Sequence, residues 1–186
     1  NNESTSAETV SENTISEDLT ESDSNGDESD ILVAYFSNTG NTECVADTIG
    51  EVTGGDVYKI EAAIPYTDED LNYSNDDCRA NTEQNDPSAR PEIAGNIENI
   101  DEYDTVFIGY PIWWGDAPKI ICTFMESYDF AGKTVIPFCT SGGSGISTSE
   151  NTLKSLAEAN WLEGRRFDSG VSEADIEAWL AEIGLK

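Results

Sequence analysis

Three apolar runs limit what this chain can fold into. They are Ile31–Phe36, Thr105–Tyr110 and Thr134–Cys139, and in each the apolar residues follow one another without alternating with polar ones. Runs of this length are typical of strands, and a strand that is apolar on both faces is buried on both faces. Parallel strands at the centre of an α/β sheet are buried in this way. The runs therefore predict the central strands of a parallel sheet.

Weaker signals complete this pattern. Asp56–Ile60 is a short strand candidate, and Trp161–Phe167 is the segment available for a fifth strand. Amphipathic stretches of helical period separate the strand candidates. We predict that Asp116 caps one helix, and that Ser147 and Ser172, each followed three residues later by an acidic residue, cap two others. Strands that alternate with helices predict an open, doubly wound α/β sheet.

The charge and the missing histidine exclude several functions. The chain has 38 acidic and nine basic residues, a formal net charge of −29, and no histidine. Binding to nucleic acid or to an anionic membrane surface needs clustered Lys and Arg residues, which this composition does not supply. Without histidine there is no Ser-His-Asp triad and no His-ligated zinc site. Nucleic-acid binding and histidine-dependent hydrolysis are therefore excluded.

The first 30 residues differ in composition from the rest. They hold ten of the acidic residues and no basic or aromatic residue, so they should repel one another and bury too little apolar surface to become ordered. We expect residues 1–30 to be a disordered acidic tail or tether, and residues 31–186 to be the folded domain. Because the only methionine is Met125, we expect a removed leader and an exported protein, membrane-tethered or extracellular, with a cytoplasmic protein as the alternative. No transmembrane segment is predicted, because no apolar stretch reaches about 18 residues.

The segment that follows the first run is rich in hydroxyl groups. Ser37–Thr42 (SNTGNT) contains no cation, and ligands of open α/β sheets bind beyond the carboxyl ends of the strands. Gly40 allows a tight turn there, and the hydroxyl groups can hold an anion together with the amides at the start of the next helix. The segment lacks the lysine of a P-loop. It predicts a neutral phosphate site, with an ordinary polar turn as the alternative.

Two further segments that follow predicted strands have unusual compositions. Pro111–Gly115 (PIWWG) contains adjacent tryptophans, which can stack on a planar ring or pack under a neighbouring loop. Thr140–Gly145 (TSGGSG) lets backbone groups approach a flat heterocycle. It is not a nucleophile elbow, because Ile146 replaces the last glycine and there is no histidine to act as base. The three segments together predict a ligand with a phosphate, a polyol chain and a flat ring.

These motifs resemble those of the flavodoxin family, in particular short flavodoxin-like proteins with a P-x-W-W-G segment. The resemblance covers residues 31–186 and implies a three-layer α/β sandwich, with a five-stranded parallel sheet in the order 2-1-3-4-5 and helices on both faces. It also implies non-covalent FMN as the cofactor and electron transfer as the function. The residues that it implies for FMN binding are Ser37, Asn38, Thr39, Gly40, Asn41, Thr42, Pro111, Ile112, Trp113, Trp114, Gly115, Thr140, Ser141, Gly142, Gly143, Ser144 and Gly145.

The resemblance also assigns roles within this set. Trp114 would stack on the inner face of the flavin, and Gly115 would place its carbonyl near flavin N5. The residues that would hold the phosphate are Ser37, Thr39, Gly40, Asn41 and Thr42. Residues 140–145 would border the pyrimidine edge. Small electron-carrying flavodoxins usually place a tyrosine over the outer flavin face from this last segment, whereas Thr140–Ser147 has no aromatic residue. That face is either open to a substrate or covered from elsewhere.

The connection from Glu61 to Glu102 is too long for a simple crossover helix. We expect a short helix near Asp68–Arg79. The connection is either a lid over the flavin or a surface insertion without catalytic importance.

Three functions fit these features. An electron carrier would be steered by its acidic surface towards a basic redox partner protein. An NAD(P)H-dependent flavin or quinone reductase would use a small acceptor such as a quinone. A flavin-free interaction module on the same scaffold is the third, and the three intact segments disfavour it. The missing outer aromatic favours the reductase, while the single domain and the high charge favour the carrier.

Overall fold

The computed structural model describes residues 30–186, and one parallel sheet organises them. The strands are β1 (Ile31–Tyr35), β2 (Asp56–Lys59), β3 (Glu61–Ala62), β4 (Ile93–Ala94), β5 (Thr105–Pro111), β6 (Thr134–Thr140), β7 (Asn160–Trp161) and β8 (Arg165–Phe167). The helices are α1 (Asn41–Thr53), α2 (Arg79–Asn85), α3 (Lys119–Ser127), α4 (Ser147–Lys154) and α5 (Glu173–Glu182). The three apolar runs form β1, β5 and β6, as predicted.

The strand order of the sheet is β2-β1-β5-β6-β7, and all of its pairings are parallel. Counted along the chain without the separate two-stranded sheet of β3 and β4, this is the predicted order 2-1-3-4-5. Tyr35 lies opposite Gly109, and Pro111 lies opposite Thr140. The carboxyl ends of β1, β5 and β6 therefore meet at one edge of the sheet.

The predicted fifth strand is divided into two short strands. Both β7 and β8 pair with β6, the first at Thr134 and Val135 and the second at its carboxyl end. Between them, the backbone at Gly164 approaches β6 so closely that a Cβ there would lie 2.6 Å from the carbonyl oxygen of Pro137. This close approach interrupts the ladder, and the sequence pattern does not reveal it.

Helices cover both faces of the sheet, which completes the three-layer sandwich. On one face α1 and α5 pack over β1, β5 and β6, with Ile49, Phe107 and Trp179 among the buried residues. The other face is covered by α3, α4 and part of the connection between β3 and β5. Ile121 and Phe124 are among the residues buried in the core on this face. Because both faces are buried, the central strands need the continuous apolar sequence that they have.

Of the three predicted helix caps, the structure confirms the one at the start of α5 and contradicts the other two. Ser172 caps α5, since its hydroxyl accepts a hydrogen bond from the amide of Asp175 at 3.2 Å. The prediction for Asp116 is wrong: α3 begins after Pro118, and the Asp116 carboxylate accepts from the hydroxyl of Thr152 at 2.9 Å. The prediction for Ser147 is also wrong, because this residue is already inside α4 and no side chain caps that helix.

The predicted helix near residues 68–79 lies later in the chain, at α2. Asn72 and Asn75 use their side-chain carbonyls to accept backbone amides two residues further on, at 3.0 Å each. Such local bonds compete with helix formation. The segment therefore forms successive turns, and the helix begins only at Arg79.

The predicted tail, residues 1–30, lies outside the described residues except for Asp30. Among residues 30–186, no helix has both the length and the apolar character needed to cross a membrane.

Candidate functional site

Three loops meet at the carboxyl edge of the sheet: the first loop (Ser37–Thr42), the second loop (Pro111–Gly115) and the third loop (Thr140–Gly145). The hydroxyl oxygens of Thr42 and Thr140 lie 2.7 Å apart and join the first loop to the third. The amide of Ile112 donates to the carbonyl of Thr140 at 3.1 Å and joins the second loop to the third. The structure thus brings all three predicted segments together.

The first loop keeps two hydroxyl hydrogens available. Ser37 Oγ accepts from the amide of Gly40 at 3.1 Å, and Thr39 Oγ1 accepts from the side-chain amide of Asn41 at 3.2 Å. Within residues 30–186 neither hydroxyl donates to a protein acceptor. Asn38 and Thr39 are exposed, so a ligand can reach them. The exposed Thr39 hydroxyl can therefore donate to a bound anion. Ser37 is only 8% exposed, but it lines an adjacent cleft, so its hydroxyl has the same capacity at that surface.

The start of α1 adds backbone donors beside these hydroxyls. Gly40 precedes the helix at a φ of 86°, and no side chain caps the first-turn amides. Glu43, the acidic residue of this turn, accepts hydrogen bonds from the Tyr35 hydroxyl at 2.9 Å and from Lys59 at 3.1 Å. These two bonds lower the pKa of Glu43. The positive charge of Lys59 thus partly offsets the negative charge of Glu43, which would otherwise repel an anion at the start of α1.

The backbone of the second loop reverses direction at Trp114 and Gly115. Trp113 and Asp116 exchange two backbone hydrogen bonds, of 2.9 and 3.0 Å, around Trp114 and Gly115. Trp114 has a φ of 47° and Gly115 a φ of 83°, the signs expected of a tight hairpin turn of type I′. Positive φ is costly for a tryptophan. The turn separates the two indoles: Trp113 is 5% exposed and Trp114 is 40% exposed.

Glycines in all three loops face open space. Built Cβ atoms on Gly40, Gly115, Gly142, Gly143 and Gly145 would meet nothing within 4 Å. The third loop holds its own shape, because Ser141 Oγ donates to the carbonyl of Ser144 at 2.7 Å and accepts from the amide of Gly143 at 3.0 Å. A ligand can therefore approach the backbone of each loop closely.

Arg166 lies beneath the third loop, and the sequence analysis did not identify it. Its guanidinium donates to the carbonyl of Ser141 at 3.2 Å and contacts the carboxylate of Asp168. Its Nε is buried and has no hydrogen-bond partner among the described residues. The signal in the sequence was the adjacent Arg165 and Arg166 pair in a very acidic chain.

The connection that separates β3 from β5 packs against the second loop. We call its residues 63–99 the insertion. Its Tyr66 ring lies 5.2 Å from that of Trp113, and its Tyr73 ring lies 4.5 Å from that of Trp114. The side-chain amide of Gln84, in α2, donates to the carbonyls of Trp113 and Ala117 at 2.9 and 3.2 Å. The insertion thus supports the second loop through ring contacts and hydrogen bonds.

A cleft of about 490 Å³ lies on the other side of the first loop. Ser37, Asn38 and Thr39 form one wall, while Phe36, residues 59–62 and residues of the insertion such as Tyr66 form the rest. Residues of the second and third loops do not line it. The cleft therefore borders the first loop and the insertion and lies apart from the other two loops.

The Cys139 thiol is not a candidate nucleophile at this edge. Burial raises the pKa of the Cys139 thiol, just before the third loop, to about 12, so the thiol stays protonated and is a poor nucleophile. Among the described residues, acidic and cysteine side chains form no group of three or more that could hold a metal ion.

Comparison with known proteins identifies the fold and the family. A family model described as Flavodoxin matches residues 30–183. The chain belongs to the flavodoxin family. A candidate flavoprotein from Bacteroides eggerthii is 51% identical, with a TM-score of 0.78 over 84% of this chain and 98% of that one. Another from Bacteroides uniformis is 44% identical, with a TM-score of 0.77 over 81% and 97%.

A more distant structure shares the fold. A flavoprotein from Lactobacillus acidophilus, solved in complex with FMN, is 24% identical, with a TM-score of 0.61 over 80% of this chain and 97% of that one. No curated protein matches the chain. The predicted flavodoxin-like sandwich and the predicted family are thus confirmed, while the roles of the individual loop residues stay predictions.

Proposed function

We propose that this flavodoxin-family protein binds FMN non-covalently and transfers electrons through it. One observation carries the proposal: three loops at a single sheet edge combine free hydroxyls, uncapped helix amides, an exposed indole and glycines that face open space. Family membership supports the same ligand. So does the FMN complex of the structurally similar Lactobacillus protein.

The residues present fit each part of FMN. The first loop offers hydroxyl and amide donors to the phosphate, and the exposed indole of Trp114 offers a flat surface to the ring. The glycines of the third loop leave room for the ring edge beside backbone groups. When bound, FMN supplies one- and two-electron redox chemistry, and the protein supplies binding, orientation and electrostatics.

The surface charge favours a basic protein as the redox partner. All nine basic residues lie in the described part of the chain, and seven of them are in ion pairs. The other two, Lys119 and Lys133, are buried. Acidic side chains therefore dominate the accessible charge of residues 30–186. We expect association with a basic acceptor protein to weaken as salt is added.

The cleft beside the first loop favours a second candidate, an NAD(P)H-dependent flavin or quinone reductase. Its aromatic and polar walls are suited to a small planar acceptor. Anaerobic titration of the FMN-loaded protein with NADH and NADPH separates the two functions. Rapid bleaching of the flavin by a nicotinamide would support the reductase, and no bleaching would support the carrier.

The cofactor proposal is tested by titrating the apoprotein with FMN and following flavin fluorescence. We expect one FMN per chain, and we expect Thr39→Ala to weaken binding by about 1–2 kcal/mol, because one donor to the phosphate is lost. Thr48→Ala is the matched control, since that hydroxyl bonds within α1 to the carbonyl of Cys44. Equal effects of the two variants would contradict the phosphate site, and tight binding of FAD in place of FMN would contradict the cofactor.

A further inference from the structure

Tyr73 is an exposed aromatic side chain that makes its ring contact with another exposed aromatic. Its side chain is 59% exposed, and its ring lies 4.5 Å from that of Trp114 at an interplanar angle of 31°. Within residues 30–186 its hydroxyl has no hydrogen-bond partner. The contact of Tyr73 with the second loop is thus made by the ring.

The backbone around Tyr73 holds this ring in place. The residue lies in a turn in which the amide of Asn75 donates to the carbonyl of Asn72 at 2.9 Å, and the amide of Ser74 donates to the Asn72 side chain at 3.0 Å. Further along the insertion, Gln84 is bonded to the second loop itself. Before Tyr73 in the chain, the ring of Tyr66 packs 5.2 Å from that of Trp113. Tyr73 is therefore presented to Trp114 from a segment that contacts the second loop both before and after it.

Trp114 needs such support. It is the non-glycine residue with positive φ among the described residues, and a side chain in this conformation persists where its surroundings determine it. An indole has two faces, and Tyr73 covers one of them. With 40% of Trp114 exposed, part of the indole remains accessible to a planar ring.

We propose that Tyr73 is a positioning residue for the cofactor, acting through Trp114. Its ring fixes the indole from behind, so that the free face of Trp114 is presented to the isoalloxazine of FMN. The inference rests on the proposed function. It also gives the insertion a role in ligand binding: the segment supplies an aromatic ring at the site although the third loop has none.

The test compares Tyr73→Ala with Tyr73→Phe in FMN titrations of the full chain. We expect Tyr73→Ala to weaken FMN binding roughly threefold to tenfold, the range expected for one aromatic pair, and to alter the absorption bands of the bound flavin. Tyr73→Phe keeps the ring and should restore both. Ile64→Ala is the control, because Ile64 is an exposed side chain of the insertion, 72% exposed, without a ring contact.

A second pair of variants separates action through Trp114 from a general effect on the fold. In a Trp114→Ala background, Tyr73→Ala should cause no further loss of FMN affinity. An additional loss in that background would overturn the proposal, and so would wild-type affinity and spectrum in Tyr73→Ala, or an equal loss in Ile64→Ala. If the wild-type chain does not bind FMN at all, the proposed function itself fails, which is a different result from any of these.

Discussion

Trp113 and Trp114 are adjacent tryptophans, yet the first is buried and the second is exposed. Trp113 is buried and packs edge-on against Phe36 and Tyr66, with ring centroids 5.5 and 5.2 Å away. Trp114 projects from a strained turn and pairs with the exposed Tyr73. The difference teaches that one dipeptide can join the core to an exposed surface, here the one proposed to bind the ligand. The first indole anchors the loop, which lets the second remain accessible.

The largest expected effect tests the anchor. Trp113→Ala should lower the free energy of unfolding by about 3–5 kcal/mol, because it leaves a cavity among buried rings. Trp114→Ala should lower it by less than about 1.5 kcal/mol, the value of one exposed aromatic pair. Urea unfolding followed by far-UV circular dichroism measures both. Equal losses in the two variants would mean that the indoles share one environment, contrary to the structure.

A smaller effect is expected from the strained backbone. Trp114→Gly should be more stable than Trp114→Ala by about 1 kcal/mol, because glycine adopts positive φ without the Cβ penalty. At Asp47, an exposed position within α1, the same pair of substitutions should have the opposite sign, since glycine weakens helices. Thermal unfolding of the four variants checks this. An alanine variant more stable than the glycine variant at position 114 would contradict the strain.

The smallest effect concerns an ion pair that links the insertion to α3. The insertion matters to the comparison because its tyrosines contact both tryptophans. Arg90 makes two hydrogen bonds of 2.7 Å to Glu126 of α3, and these bonds lower the pKa of Glu126 below its ordinary value of 4.5. The folded state therefore binds this proton more weakly than the unfolded chain does. The stabilisation is complete above that ordinary value and is lost as the pH falls through the folded-state pKa.

Glu126→Gln measures this pair. Because Glu126 is 42% exposed, we expect a loss of only about 0.5 kcal/mol at neutral pH. This loss should shrink as the pH falls below 4.5 and through the lowered pKa of the wild-type carboxyl. Glu182→Gln, at the more exposed pair with Arg165, is the control and should have little effect at either pH. A loss in Glu126→Gln that stays constant with pH would show that the charge of Glu126 is not its cause.

The sequence predicts the parts of this molecule that depend on local pattern. Continuous apolar runs identified β1, β5 and β6, and the composition of the segments that follow them identified the three loops. Composition could not show which tryptophan would be buried, since both indoles are equally apolar and the answer depends on the turn at Trp114 and Gly115. Only the family resemblance distinguished them, by assigning the stacking role to Trp114. Contacts made by distant residues, such as those of Tyr73 and Gln84 with the second loop, leave no periodic signal.

The errors have the same origin. Asp116 is a residue type that often caps helices, but its carboxylate accepts a hydrogen bond from Thr152 of α4. The segment around Asn72 and Asn75 has polar residues that suit a helix surface, but their side chains bond to the nearby backbone. In both places the sequence allows two sets of hydrogen bonds, and tertiary packing selects one of them.

The hydroxyl pair that joins the first and third loops has one hydrogen more than it uses. Thr42 and Thr140 carry two hydroxyl hydrogens, and a single one lies in the 2.7 Å gap between their oxygens. Either oxygen can be the donor, so the remaining hydrogen belongs to Thr140 in one arrangement and to Thr42 in the other. Thr42 is 1% exposed and Thr140 is 7% exposed, so a ligand oxygen that reaches Thr140 would select the arrangement in which Thr42 donates across the gap. The polarity of this bond can then reverse while every heavy atom stays in place.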